Sequence, residues 1–306
     1  LERIQRGGAR HFNTGKRFEV LPPAVLTGWR AAGAVALCGV PVLLGFLGPV
    51  VVLAEMAVGS GQDLLSPRYL GLVRNSVSLA ALTAAITVGA ALILRFNARL
   101  APGPAGRGAV EVARIGYAVP GGVIAVGLLV PFAAFDNALD AAMRDAFGIS
   151  TGLLVTGSIA LVVFACAVRF AAAALGALDG GFAAVPPNID WVARTLGAGP
   201  FAMLARVHLP VLAPSVLTAL LVVFVDVMKE LPATLILRPF NFDTLAVQAH
   251  RLAADERLAG AAVPSLVIVA VGLLPVILVC RGLGRRGARA AEVTPAESAI
   301  ESGVRP

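Results

Sequence analysis

The chain has 306 residues, of which 58% are hydrophobic and 14% charged, with a mean hydropathy of +0.85. A water-soluble domain carries about 25% charged residues, so composition excludes an ordinary soluble fold and points to a membrane protein. The formal net charge is +7, from 25 Lys and Arg against 18 Asp and Glu, but the positives stand at the ends of apolar runs, which argues against a nucleic-acid face.

Leu1 opens a polar, basic stretch, LERIQRGGARHFNTGKR, with no secretory apolar core near the start. Residues 1–29 read as a cytoplasmic linker at the front of a fragment. Six apolar runs follow, at 30–56, 72–95, 111–134, 151–173, 212–236 and 261–281. Each approaches or exceeds the roughly 20 residues that carry a helix across about 30 Å of hydrocarbon. The expected class is an all-α membrane protein with six transmembrane helices over 30–281. Pro41, Pro120 and Pro275 fall inside three runs, where a helix should kink or break. Abundant glycine and alanine permit close helix–helix contact where lipid supplies no hydrophobic drive.

Glu55, near the outer end of the first run, reads as reaching water. Asn75 and Ser76 in the second can bond across helices. Arg114 and Tyr117 in the third, and Arg169 at the inner end of the fourth, read as anchors that snorkel to the interface. Cys38, Cys166 and Cys280 read as small buried hydrophobes, and His11, His208 and His250 show no ligand spacing. The connection 135–150 sets Asp136, Asp140 and Asp145 against Arg144 alone, whereas 1–30, 95–114, 169–208 and 281–306 hold most of the Lys and Arg. That bias places both termini and the segment 187–210 in the cytoplasm.

Asp226, Lys229 and Glu230 lie within or at the outer end of the fifth run. A charge near the bilayer centre costs at least about 2.5–3.5 kcal/mol, so these groups should face protein or a water-filled cavity. Asp226 and Lys229 form an i,i+3 pair, while Asp226 and Glu230, at i,i+4, repel. Pro232 removes a backbone hydrogen bond one turn on and can open the helix. Two readings stay open: the triad pins this helix to its neighbours, or with Pro232 it lines a pathway or its gate. The segment 243–260 is too polar to span and reads as a short helix on the outer surface. Residues 282–306, rich in Arg, Glu and Ala, read as a disordered cytoplasmic tail.

The polar island 187–210, PNIDWVARTLGAGPFAMLARVHLP, reads as two short helices hinged at glycines. Asn188 can cap the first, with Asp190 in its first turn. Gly197 can end it in the left-handed conformation, and Pro200 suits the first turn of the second. Trp191, Leu196, Phe201, Leu204 and Val207 are expected to bury apolar contacts, and Pro210 to mark a break before the next span.

This island resembles the cytoplasmic signature of permease subunits in binding-protein-dependent ABC importers: Glu-Ala-Ala, three residues, Gly, nine residues, then Ile-x-Leu-Pro. The matching positions are Trp191-Val192-Ala193, Gly197 and Val207-His208-Leu209-Pro210. The leading glutamate is replaced by Trp191, with Asp190 beside it as a substitute. The run Met228–Asp255 and the stretch ARHFNTGKR are similar to the second half of fused ferric-iron importer permeases.

The resemblance implies the type I importer permease fold, with 187–210 as a coupling helix pair. Asp190, Trp191, Ala193, Gly197, Leu204, Val207, Leu209 and Pro210 are its expected contacts to an ATPase. It further implies ABC ATPase subunits that hold ATP and Mg, an extracytoplasmic binding protein, a second permease half (fused ahead of this fragment or separate), and a bacterial inner-membrane location in contact with lipid. Ferric iron is the first cargo expected, with thiamine, polyamines or other small solutes as alternatives. No GxxxxGK[ST] sequence occurs, so ATP hydrolysis is assigned to another chain. No catalytic, cofactor-binding or metal-binding residues are expected here. Two rivals are an ion-coupled secondary transporter using Asp226 and Glu230, and a membrane enzyme.

Overall fold

The computed structural model describes residues 26–277 and residue 280, so the expected linker 1–25 and tail 282–306 lie outside the described residues. The chain divides into two compact units, Leu1–Val50 and Val51–Pro306. Every element among the described residues is helical, and six helices are long and apolar enough to cross a membrane.

Helix α1, Gly28–Val58, runs through Pro41 without breaking. It widens instead into a π turn at Leu43–Leu47. Such a turn absorbs the hydrogen bond that a proline removes. Cys38 is exposed, contrary to the expectation of burial, because α1 presents it outward like its apolar neighbours; Cys280 is likewise exposed and only Cys166 is buried.

Helix α2, Pro67–Leu100, has 34 residues, about 51 Å of rise. Ser66 caps it, accepting from the Tyr69 amide at 3.4 Å, and Pro67 occupies its first turn. It overshoots the expected 72–95 at both ends because polar residues there find protein partners. At one end Asn75 donates to the Asp243 carbonyl at 3.1 Å and Ser76 accepts from the Leu245 amide at 2.8 Å. At the other, Arg95 and Arg99 enter ion pairs described below.

The third apolar run divides. Helix α3, Pro104–Ile115, leads through a 3₁₀ turn to a break at Pro120, and α4, Gly121–Phe147, forms the span. The connection expected at 135–150 therefore shifts to the residues between α4 and α5, Ile159–Ala184. Two carboxylates one helical turn apart on α4 organise it. Buried Asp136 accepts from the Thr156 amide at 2.8 Å and from its hydroxyl at 2.7 Å. Asp140 accepts from the amides of Thr151 at 2.7 Å and Gly152 at 2.9 Å. These bonds satisfy loop backbone that would otherwise lack partners.

Helix α6, Asn188–Thr195, follows α5. Helix α7, Pro200–Met228, is continuous through Pro210, again by way of a π turn, here at Leu204–His208. The expected break at Pro210 does not occur, so the second helix of the island is the first part of the fifth span. The helix ends at Met228, short of the expected 236, and α8, Pro232–Leu237, starts anew at its proline. Helix α9, Leu245–Ala254, is capped by Thr244; it buries Leu245, Val247 and Leu252 and exposes His250, Arg251 and Ala254. Helix α10, Leu258–Ile277, remains helical through Pro275.

The core lies where α2, α5 and α7 meet. Ala80, Ala84, Ala165, Ala174 and Ala219 are buried there beside Leu79, Leu175, Leu178 and Leu212. Small residues let these backbones approach, the packing available in lipid. Leu82, Ile86 and Ile93 stand on the opposite face of α2 and are exposed, as a lipid-facing stripe requires.

Candidate coupling surface and pathway charges

Pro187 already has helical dihedrals, so Asn188 is the first residue of α6 and caps nothing, contrary to expectation. The end of α6 follows the sequence reading. Gly197 has a φ of +76°, and the Ala198 amide donates to the Ala193 carbonyl at 3.0 Å. A left-handed residue closing the helix with this reach-back bond favours glycine.

Asp190 faces inward. Its Oδ2 accepts from Nε of Arg99 at 2.6 Å, and its Oδ1 stands 2.9 Å from Nε2 of His208. The same Arg99 guanidinium donates to the carbonyls of Phe182 and Val185, both at 3.0 Å, and of Pro186 at 3.1 Å. The carbonyls at the end of a helix lack intrahelical donors, and a cation there also meets the negative end of the helix dipole. One side chain from α2 thus closes α5 and holds the start of α6.

His208, fully buried in the π turn of α7, completes the joint. Its Nδ1 lies 3.2 Å from the Met203 carbonyl, and its ring packs edge-on to Phe96 at 5.0 Å. From the sequence, His208 is a motif position without ligand spacing, and Arg99 has no assigned role. The signal available was a lone histidine inside the motif and an arginine at the end of a span; their meeting needs three helices.

The apolar residues of the island are distributed differently from the expectation. Trp191 is 65% exposed, Leu196 80% and Phe201 82%. Ala193 is buried, Leu204 and Val207 are half-buried, and Leu209 and Pro210 are exposed. Asp190 directs the inward face of α6 to Arg99 and His208, and the aromatic and leucine side chains project outward. Arg194 stacks over Trp191 at 5.7 Å and donates to the Leu100 carbonyl at 3.4 Å.

The charged triad of the fifth run is split. Asp226 pairs with Lys229 at 2.9 Å, as the spacing suggests, and Lys229 is largely exposed. Glu230 instead turns away, is buried, and receives Nη1 of Arg169 at 2.7 Å. Arg169 therefore is no interfacial anchor; it is held inside the protein by a carboxylate. Arg114 likewise pairs with Asp179 on α5, which also receives Nε of Arg95 at 2.7 Å. Tyr117 remains exposed, its ring 6.4 Å from that of Phe170. Among the described residues no group of three or more His, Cys, Asp or Glu could hold a metal ion.

No protein-family model matches the chain. It is 34% identical over 91 residues to the Fe(3+)-transport system permease protein FbpB 2 of Haemophilus influenzae, covering 30% of this chain and 18% of that protein. It is 33% identical over 122 residues to PhnV of Salmonella typhimurium, assigned to a 2-aminoethylphosphonate transport system as permease protein, covering 40% and 46%. The chain thus spans less than half the length of either relative. A structure of the bacterial alginate ABC transporter, with an alginate-pentasaccharide-bound periplasmic protein, contains a chain that superposes with a TM-score of 0.63 at 14% identity, over 82% of this chain and 92% of that one. A second structure of an alginate-importing ABC transporter gives 0.60 at 15% identity, over 84% and 96%. The fold is that of a multi-span membrane permease, and the chain is similar in sequence to transport-system permeases of two different cargoes.

Proposed function

We propose that this chain is a permease subunit of an ATP-driven importer of the ABC type, embedded in a bacterial inner membrane. The observation that carries the reading is the joint at Arg99, Asp190 and His208. It ties α6, with Trp191 and Leu196 exposed beside Phe201 of α7, to the ends of three helices. A soluble ATPase that grips those apolar side chains would move α2, α5 and α7 together. Exposed aromatic and leucine side chains at the end of a rigid element suit such a partner.

In this reading residues 30–281 form the transmembrane domain and 187–210 the coupling region, on the cytoplasmic side. ATP and Mg belong to the ATPase subunits, which this chain contacts through Trp191, Leu196 and Phe201. A binding protein delivers cargo to the opposite face, and a second permease half completes the pathway. We place a small organic solute ahead of ferric iron. The longer similarity is to the permease assigned to 2-aminoethylphosphonate, and the match to the ferric permease covers 91 residues only.

The test is reconstitution of the chain with its candidate ATPase in liposomes. Uptake that requires ATP, and fails with Phe201→Ser while the folded protein persists, supports the proposal. Uptake driven by a proton gradient without the ATPase would instead establish the ion-coupled rival.

A further inference from the structure

At the end of α2 remote from Arg99, a cavity of about 400 Å³ opens between the start of α2 and the end of α9. Its volume lies in the range of small-molecule sites. The wall carries Arg68, Arg251 and Arg257 against Asp63 and Asp255. Asp63 already accepts from the Leu65 amide at 2.9 Å, and Arg251 reaches Asp243 at 3.3 Å. Arg68, Arg257 and Asp255 have no side-chain ionic partner among the described residues.

Two further groups in the same wall await a partner. Tyr69 is buried, and its hydroxyl has no hydrogen-bond partner among the described residues; the same holds for Oε1 of Gln248. Buried polar atoms left unpaired are uncommon in native proteins, and a group bound beside them is one arrangement that satisfies them. The backbone adds a third sign. Glu256 holds a φ of 59°, a left-handed conformation unusual for any residue but glycine, and the Arg257 amide donates to the Leu252 carbonyl at 2.8 Å. That turn carries Asp255 and Arg257 on either side of it, both in the cavity wall.

We propose that this cavity binds a small group bearing a phosphonate- or phosphate-type oxyanion together with an ammonium. Arg68 and Arg257 take the oxyanion, for which guanidinium forks are suited. Asp255 takes the ammonium, and the Tyr69 hydroxyl and Gln248 supply the remaining hydrogen bonds. As an assignment of cargo class the inference rests on the importer reading above. The same chemistry occurs in a free aminophosphonate and in a phosphatidylethanolamine head group, and the free solute is the source we assign.

The experiment measures binding of 2-aminoethylphosphonate and methylphosphonate to the full chain in phosphatidylglycerol nanodiscs, with and without phosphatidylethanolamine. Saturable binding of the aminophosphonate is expected, unchanged by phosphatidylethanolamine. Arg68→Gln with Arg257→Gln should weaken it at least about tenfold, since each removes a charged hydrogen bond. Asp255→Asn should erase the preference over methylphosphonate and leave methylphosphonate binding intact. The substituted residues are exposed, so an unchanged unfolding temperature is expected and verifies the fold. Absence of saturable binding, or affinity unmoved in the double variant, overturns the site. Displacement of the solute by phosphatidylethanolamine overturns the cargo assignment in favour of lipid. Binding without ATP-driven uptake counts against the importer reading and leaves the site standing.

Discussion

Nη1 of Arg169 stands 2.7 Å from both carboxylate oxygens of Glu230, about 15 Å along α5 from its start. Glu230 also accepts from the Ala233 amide at 3.2 Å, which caps the first turn of α8. A Cβ on Gly121, the first residue of α4, would clash with Nη1 of Arg169 and lie 2.6 Å from Oε1 of Glu230. The break before α4 and the break after α7 therefore converge on one ion pair. Interrupted helices in membrane spans are tolerated where protein satisfies the freed backbone groups.

Removing one partner of this pair strands the other in an apolar interior, a loss of about 3–5 kcal/mol. Glu230→Gln should lower the unfolding temperature in detergent markedly. Arg169→Met combined with Glu230→Gln should recover part of the loss, because no charge is then left alone. Additive losses, with the double variant losing the sum of the two single-variant losses, would show that the pair contributes nothing as a pair.

Gly121→Ala places a methyl group against both charged side chains. Overpacking of this kind costs about 1–3 kcal/mol. The substitution should be destabilising in the native background and better tolerated in the Arg169→Met, Glu230→Gln background, where the guanidinium is gone. Thermal unfolding of the four proteins measures the interaction.

Arg99→Lys keeps the charge and loses the fork. An ammonium cannot reach Asp190 and three carbonyls together. The expected result is ATPase activity that persists in the assembled transporter while uptake per ATP falls several-fold. Retention of full coupling would show that the joint is not how motion enters the spans.

Gly197→Pro should uncouple in the same way. Proline holds φ near −65°, whereas Gly197 sits at +76°, so α6 can no longer end where it does. Cross-linking between Leu196→Cys and the ATPase reports whether the docking geometry survives.

Asp226→Asn should matter little. Asp226 is 13% exposed, but its partner Lys229 is 64% exposed, so water screens the pair and it contributes about 1 kcal/mol or less. Stability within about 1 kcal/mol of the parent and unchanged uptake are expected. A large loss of uptake with stability intact would return Asp226 to the pathway.

The composition, the six apolar runs and the spacing from Ala193 through Gly197 to Pro210 were legible in the primary sequence, because bilayer thickness and glycine stereochemistry act locally. Pro120 and Pro232 were legible as breaks for the same reason. Pro41 and Pro210 were not breaks, since a π turn can absorb a proline when the helix is held along its length.

What the amino-acid sequence determined by itself is the number of spans, their approximate places and the left-handed end of α6. Only the tertiary structure decided which charge meets which. Asp226, Lys229 and Glu230 are neighbours along the chain, yet Glu230 belongs to Arg169, 61 residues away. Asp190 belongs to Arg99, 91 residues away. In a low-dielectric interior a buried charge must find an opposite one across the packed helices, and that choice follows from helix placement, which no local pattern encodes.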